Sequence, residues 1–388
     1  MKRWPTKPLG DVCAINPKLA ASERPAAGAE VTFVPMAAVD EVSGTIVRPE
    51  RRRYSEVAKG YTPFREKDVL FAKITPCMQN GKAAIARNLC AGLGFGSTEF
   101  HVLRPCSDLL PQWVFAFIRQ PPFRSAAEAS FTGSAGQQRV PADFLKKFPI
   151  PVPPLAEQER IVELLDEADE FRKLRAKAYR RTATLIPALF REMFGDPVKN
   201  PNGWPKSCLG ECCELINGAA FKATDWNGVG LPIIRIQNLN EPTKAFNYTS
   251  KHLPEKFRVR PGDILLSWSG TPGTSFGCFR WDGPEGWLNQ HIFNVKLATD
   301  LDGEFFIHSV NARLNELIAK AHGGVGLQHV TKGVLDSVEL LIPPLLMQKQ
   351  FADRVNEIRR LEAGQAASRL RLEALFQSLL HRAFNGEL

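Results

Sequence analysis

The feature that most constrains this chain is that it is written twice. Trp4-Pro5 followed by Leu9-Gly10-Asp11 returns as Trp204-Pro205 followed by Leu209-Gly210-Glu211, an offset of 200. Asp68-Val69-Leu70 returns as Asp263-Ile264-Leu265 at an offset of 195, and Pro153-Pro154-Leu155 as Pro343-Pro344-Leu345 at 190. Phe194-Gly195 is answered by Phe384-Asn385-Gly386. Each match is weak alone, but the common order is not, and small loop-sized drifts in offset are what insertions at turns produce. Half of 388 residues is a fold in its own right, so a single small domain is excluded and two similar units are expected.

Each copy has two parts. The first is a stretch of about 150 residues, punctuated by Gly and Pro, with short β-like runs such as Val31 to Pro35, Asp68 to Ile74, Phe100 to Leu103, Leu231 to Ile236 and Ile264 to Trp268. Asn80-Gly81, Pro261-Gly262-Asp263 and Asp282-Gly283 mark turns between them, and short helices are expected over Pro111 to Arg119 and Glu304 to Ala321. The second part opens after a proline-rich stop, Pro149 to Pro154 in one copy and Ile342-Pro343-Pro344 in the other. Pro disfavours helix just before itself yet suits a helix start.

Beyond each stop, apolar residues recur at spacings of three and four. Ile161, Leu164, Ala168, Phe171, Leu174, Ala178, Leu185 and Leu189 form one stripe; Phe351, Val355, Ile358, Leu361, Leu370, Leu375, Leu379 and Phe384 form the other. Two helices of about 40 residues, roughly 60 Å each, would cover these stripes by packing as a coiled coil. The first opens acidic (Glu157, Glu159, Glu163, Asp166) and turns basic, while the second ends with Arg369, Arg371 and Arg382, so antiparallel packing is expected. Pro187 falls inside the first stripe and is expected to kink or end that helix. The fold class is therefore α+β. Two similar globular domains (1–152 and 196–342) are separated by two long helices (153–195 and 343–388) packed as an antiparallel coiled coil with a pseudo-twofold internal repeat.

This order of domain, helix, domain, helix resembles the specificity subunit of a Type I restriction-modification system, the HsdS family. The resemblance rests on the Trp4 to Gly10 and Trp204 to Gly210 openings, the two Asp-led strands, Gly94-Phe95-Gly96-Ser97-Thr98-Glu99-Phe100, and the PPLAEQERI run from Pro153 to Ile161. It covers essentially the whole chain. Lys67 stands where the second copy has Gly262, and Met347-Gln348-Lys349-Gln350 is a degraded form of Glu157-Gln158. The resemblance implies that each globular domain is a target recognition domain for half of a bipartite site in double-stranded DNA. It implies that the helices set the spacing and dock two modification (adenine methyltransferase) subunits, with restriction subunits completing the complex. Leu164, Phe171 and Leu174 in the first helix and Phe351, Val355 and Ile358 in the second are the expected partner-binding positions.

A formal net charge of +9 with pI near 9.2 agrees with an anionic partner. Phosphate and base contacts draw on Lys, Arg, Asn, Gln, Ser and Thr, and two loop regions in each copy are rich in these. The first follows the Asp-led strand: Lys73, Thr75, Asn80 and Lys82 in one copy, Ser269 and Thr271 in the other. The second is a Gly-rich turn: Gln137, Gln138 and Arg139, matched by Gln328 and His329. Arg235 ends a further polar strand. The competing reading of all these positions is polar hairpin tips without a ligand.

An enzyme is the rival class. Gln120-Pro121-Pro122-Phe123 downstream of Gly92-x-Gly94-x-Gly96 imitates an amino-methyltransferase motif, but too few residues separate the two segments for a cofactor-binding α/β unit. No phosphate loop of the G-x-x-x-x-G-K-[ST] type and no H-E-x-x-H occurs. Cys208-x3-Cys212-Cys213 lacks the second cluster that zinc sites use. No catalytic residue, cofactor or metal is therefore expected. With no signal peptide and no run of about 18 apolar residues, a cytoplasmic protein without membrane contact is expected. A protein-interaction scaffold of a degenerate restriction system stays open as the third class.

Overall fold

The computed structural model describes residues 4–388 except 135, 241–243, 271–275, 299, 314–327 and 330, and leaves the side chains of 240, 270, 328 and 329 undescribed. The chain divides into two compact units, one formed by Met1–Lys177 with Ala367–Leu388, the other by Ala178–Ala366. Each unit thus combines one globular part with segments of both long helical regions.

The first unit holds two four-stranded sheets. In one, Cys13–Ile15, Phe100–Pro105, Val69–Ala72 and Ala83–Ile85 lie side by side, all antiparallel. In the other the order is Glu50–Arg53, Glu30–Val34, Leu93–Gly96 and Thr62–Arg65, with a parallel central pair. A two-stranded ribbon pairs Thr6–Pro8 with Pro149–Pro151. The second unit repeats this plan. Cys213–Asn217, Ile292–Leu297, Ile264–Ser267 and Gly277–Arg280 form the antiparallel sheet. Asn247–Thr249, Leu231–Ile234, Gly286–Leu288 and Arg258–Val259 form the mixed one, again with its parallel pair in the middle, and Lys206–Cys208 pairs with Glu339–Leu341. The α+β duplication expected from sequence is present strand for strand.

The repeated sequence landmarks have structural causes. Asp68 accepts the Arg65 amide at 2.7 Å and a two-pronged contact from Arg104 at 2.8 and 2.7 Å; Asp263 accepts the Arg260 amide at 2.9 Å and Lys296 at 3.1 Å. The residue just before each Asp sits in the left-handed region, Lys67 at φ 69° and Gly262 at φ 95°. Gly adopts that conformation freely and Lys does not, so the Lys67 copy holds a strained turn. The Trp-Pro openings anchor each unit to a helix end. Trp4 donates its indole N–H to Ala383 O at 2.9 Å, and Trp204 donates to Phe194 O at 3.1 Å.

The first helical region is not continuous, which refines the expected single helix. Leu155–Thr182 ends, two residues form a turn, and Leu185–Phe194 follows. Pro187 has no N–H to give, and its ring collides with the carbonyl four residues earlier, that of Ala183, where the break lies. The second region, Leu345–Asn385, is one helix of 41 residues. The expected helix over Glu304 to Ala321 is described as Gly303–Ala312, with Arg313 capping it; residues 314–321 lie outside the described residues.

Packing in both units is antiparallel. In the first, Ile161, Val162 and Leu165 share a core with Leu380, Ala383 and Phe384, while further along Arg172 pairs with Glu373 at 2.5 Å and lies over the Phe376 ring. Trp113 from the globular part closes that core against Phe384, ring centroids 4.2 Å apart. In the second, Thr182 bonds Gln365 at 3.0 Å, and Ile186, Phe190 and Phe194 pack on Phe351, Val355 and Phe305.

Candidate nucleic-acid interface

In the first unit the two loop regions singled out from sequence, more than sixty residues apart, meet. The strand Val69–Ala72 runs on into Lys73-Ile74-Thr75, and the returning segment Gln138 to Val140 lies beside it. Val140 N–H donates to Lys73 O at 2.9 Å and Thr75 N–H to Gln138 O at 3.0 Å, while the Thr75 hydroxyl accepts the Gln138 amide at 3.2 Å. Thr132 and Arg139 exchange backbone bonds of 3.0 and 2.9 Å, closing the turn that carries Gln137. Gln137 is exposed; Thr75, Gln138 and Arg139 are half-buried.

Arg139 is committed within the chain. Its guanidinium forks onto Glu99, Nε to Oε2 at 2.9 Å and Nη2 to Oε1 at 2.8 Å, and its Nη1 donates to Gln137 O at 3.0 Å. The planar fork fixes the turn's height over the sheet. The Arg139 contact holds the Glu99 carboxyl below the ordinary carboxylate range, against a smaller opposing effect of burial. Glu99, missed as a site residue, sits in the same Gly94 to Phe100 run noted above; a carboxylate in the turn between the Gly-rich strand Leu93–Gly96 and the strand Phe100–Pro105 was the available signal. Asn80 and Lys82 stand apart from this bridge. Asn80 Nδ2 donates to Glu41 at 3.2 Å, and Lys82 Nζ reaches Met36 O at 3.4 Å.

The second unit makes the same junction. Ser269 pairs with His329 and Gly270 with Gln328 in an antiparallel two-stranded ribbon, the counterpart of Ile74 beside Arg139. Ser269 is only 3% exposed, so the expectation that its side chain meets DNA is corrected: it belongs to the floor of the junction. Thr271 lies outside the described residues, and the side chains of Gln328 and His329 are not described. Arg235 lies 5.3 Å over the Trp226 ring, and its backbone N–H donates to the buried Asn238 at 3.1 Å.

On the helices, Phe171 and Leu174 are 53% and 59% exposed, and Leu164 is half-buried. The buried face in that stretch is instead Ile161, Val162 and Leu165. Phe351 and Val355 are fully buried against Phe190, Phe194 and Phe305, with Ile358 packed at the margin. The expectation that Phe351 and Val355 offer a partner surface is corrected, because the globular part and the first helical region already cover them.

A family model described as the Type I restriction modification DNA specificity domain matches residues 1–179 and again 201–368. The chain belongs to this Type I specificity family. Among curated relatives of the family, the EcoEI and EcoAI specificity subunits of Escherichia coli Type I restriction enzymes are 42% and 41% identical over 160 residues, 41% of this chain. Those matches span only 26% and 27% of the two relatives. A putative MjaX specificity subunit of Methanocaldococcus jannaschii is 22% identical over 341 residues, covering 83% of this chain and 78% of that protein. The fold is shared with a chain from a structure addressing complex assembly and conformational transition of the type I R-M system, at TM-score 0.68 and 24% identity, covering 100% and 98% of the two chains. A Type I S subunit from M. genitalium aligns at TM-score 0.54 and 12% identity, covering 98% and 96%.

Among the described residues no group of three or more His, Cys, Asp or Glu side chains is placed to hold a metal ion. Cys213 is buried, and burial pushes its thiol up to about 12, far from the thiolate form a metal needs. Among the same residues no helix is long and apolar enough to cross a membrane.

Proposed function

We propose that this chain is the DNA-reading, non-catalytic specificity subunit of a Type I restriction-modification complex. Residues 1–152 and 196–342 act as target recognition domains, each reading one half of a bipartite double-stranded site. Residues 153–195 and 343–388 set the distance between half-sites and dock two methyltransferase subunits, which modify adenine. Restriction subunits join this core in the cytoplasm. One observation carries the reading: both copies bring a polar strand end against a returning polar turn, Lys73 to Thr75 beside Gln138 to Val140 and Ser269-Gly270 beside Gln328-His329. The first junction sets Thr75, Gln137 and Gln138, residue types able to read bases, beside a sheet edge, and the second repeats its backbone pairing. The exposed Phe171 and Leu174 supply an uncovered apolar face for the docked subunits.

The test is the triple variant Gln137→Ala, Gln138→Ala, Arg139→Ala, co-expressed with the methyltransferase subunits, followed by mapping of methylated adenines across the genome. The expected outcome is relaxed sequence at one half-site with the other unchanged. Equal loss at both half-sites would refute independent reading by the two domains.

A further inference from the structure

The positive charge of this chain is not shared between its two copies. Residues 1–152 contain 21 Lys and Arg against 13 Asp and Glu, whereas residues 196–342 contain 14 against 15. A net of +8 thus stands beside a net of −1 on two globular parts built on the same sheet topology. Fold maintenance does not explain this, because the repeated sheets have the same topology under both charge regimes.

The excess has a visible concentration. Glu50–Arg53, an edge strand of the mixed sheet, places Arg51, Arg52 and Arg53 in a row, with Arg48 just before it. Arg52 is used internally: it lies 3.8 Å over the Phe33 ring and bonds Glu50 at 2.6 Å. Arg51 and Arg53 alternate with it and point to the opposite face of the strand, about 6.6 Å apart along it, which is comparable to the step between neighbouring phosphates on a nucleic-acid strand. Arg51 approaches Glu30 at 3.5 Å, with both side chains mostly exposed, a contact that water and salt largely screen. Arg48 and Arg53 are exposed and have no ion-pair partner among the described residues.

Charged residues on an edge strand also guard against edge-to-edge pairing. The second unit weighs against that explanation. Its corresponding edge strand is Asn247–Thr249, an Asn-Tyr-Thr run with no charge, so this fold manages the edge without arginine.

We propose that the Arg48, Arg51 and Arg53 row is a sequence-independent phosphate grip on duplex DNA, and that it makes the two heads unequal: the first supplies most of the electrostatic affinity, the second contributes readout with little of it. The inference rests on the DNA-reading function proposed above and adds an asymmetry to it. Neutralising a phosphate releases condensed counterions, so each contact contributes about 0.9 to the slope of log affinity against log salt.

The full chain in complex with its methyltransferase subunits is titrated onto a random-sequence duplex between about 50 and 200 mM salt. The triple variant Arg48→Gln, Arg51→Gln, Arg53→Gln should flatten the slope by about two to three, and the Arg→Lys triple should restore it. Lys222→Gln, Lys251→Gln, Lys256→Gln in the second unit should leave the slope within one contact of the parent. An unchanged slope in the arginine triple, or equal flattening in both triples, overturns the proposal. So does loss of methyltransferase association with the slope intact, which would assign the row to an acidic protein face. Failure of the underlying function shows differently: the parent complex would enrich no bipartite sequence from a random duplex pool, whatever its salt slope.

Discussion

Gln158 holds its side-chain oxygen 2.9 Å from the Leu110 amide nitrogen, forty-eight residues away in sequence and fully buried. Its Nε2 donates to Asp108 O and Pro153 O at 2.9 and 2.8 Å, so one amide joins the start of the long helix to the segment entering the helix Pro111–Ile118. Gln348 repeats the device: its oxygen accepts the Asp302 amide at 2.9 Å and its Nε2 donates to Pro343 O at 2.8 Å, at the entry to Gly303–Ala312. This is the physical content of the Gln that survives in both copies while its neighbours diverge. Replacing either Gln by Ala leaves buried backbone groups unsatisfied and should destabilise the unit concerned by about 1–3 kcal/mol, read as a lowered denaturation midpoint. Gln158→Ala should act on the first unit and Gln348→Ala on the second, which local hydrogen exchange separates.

The two apolar classes on the helices should behave oppositely. Phe351→Ala removes a fully buried ring from the Phe190, Phe194 and Phe305 cluster and should cost about 3–5 kcal/mol. Phe171→Ser with Leu174→Ser should leave the melting temperature of the chain almost unchanged while weakening co-purification of methyltransferase subunits. Co-purification equal to that of the parent chain would count against the docking role.

Stability of the second unit should fall in mild acid. His308 is mostly buried beside the Phe351 ring, and burial lowers its pKa from 6.5 to about 4. The unfolded chain therefore binds a proton between these values that the folded chain refuses. This contribution is intact above about pH 6.5 and is lost as pH falls toward 4, at most about 3 kcal/mol. Urea midpoints at pH 7 and pH 5 should differ less in His308→Phe than in the parent chain; an equal pH dependence in both would exclude His308 as its source.

The register of Arg172 on Glu373 sets how a length change must be made. A heptad inserted beside Ala176 needs a second heptad near Arg369, or the seam is misaligned. The paired insertion adds about 10 Å, close to three base-pair steps. Methylated-adenine mapping should then report a spacer longer by about three base pairs with both half-sites unchanged. An unaltered spacer would remove the helices' role in spacing.

The arginine predicted to touch DNA shows where sequence reading stops. Residue type and a Gly-flanked turn pointed to Arg139 as a contact residue, but it stands at the base of that turn, paired with Thr132, and its fork is closed on Glu99, forty positions away. Ser269 has the composition of a contact residue and is buried in the junction. Composition reports what a side chain is able to bond, not which partner stands nearest.

The sequence alone determined the duplication, the α+β class and the two long helical segments, because repeats, helical spacing and proline stops are local patterns that survive without knowledge of contacts. It also located the break near Pro187, since a missing N–H acts within one turn. Only the tertiary structure decided which apolar positions lie inside. Spacings of three and four define a stripe, but a helix packed on both a globular part and another helix buries a second face, so Ile161, Val162 and Leu165 went in while Phe171 and Leu174 stayed out. The same holds for the meeting of Lys73 to Thr75 with Gln138 to Val140: strand pairing joins segments by sheet geometry, which no spacing along the chain records.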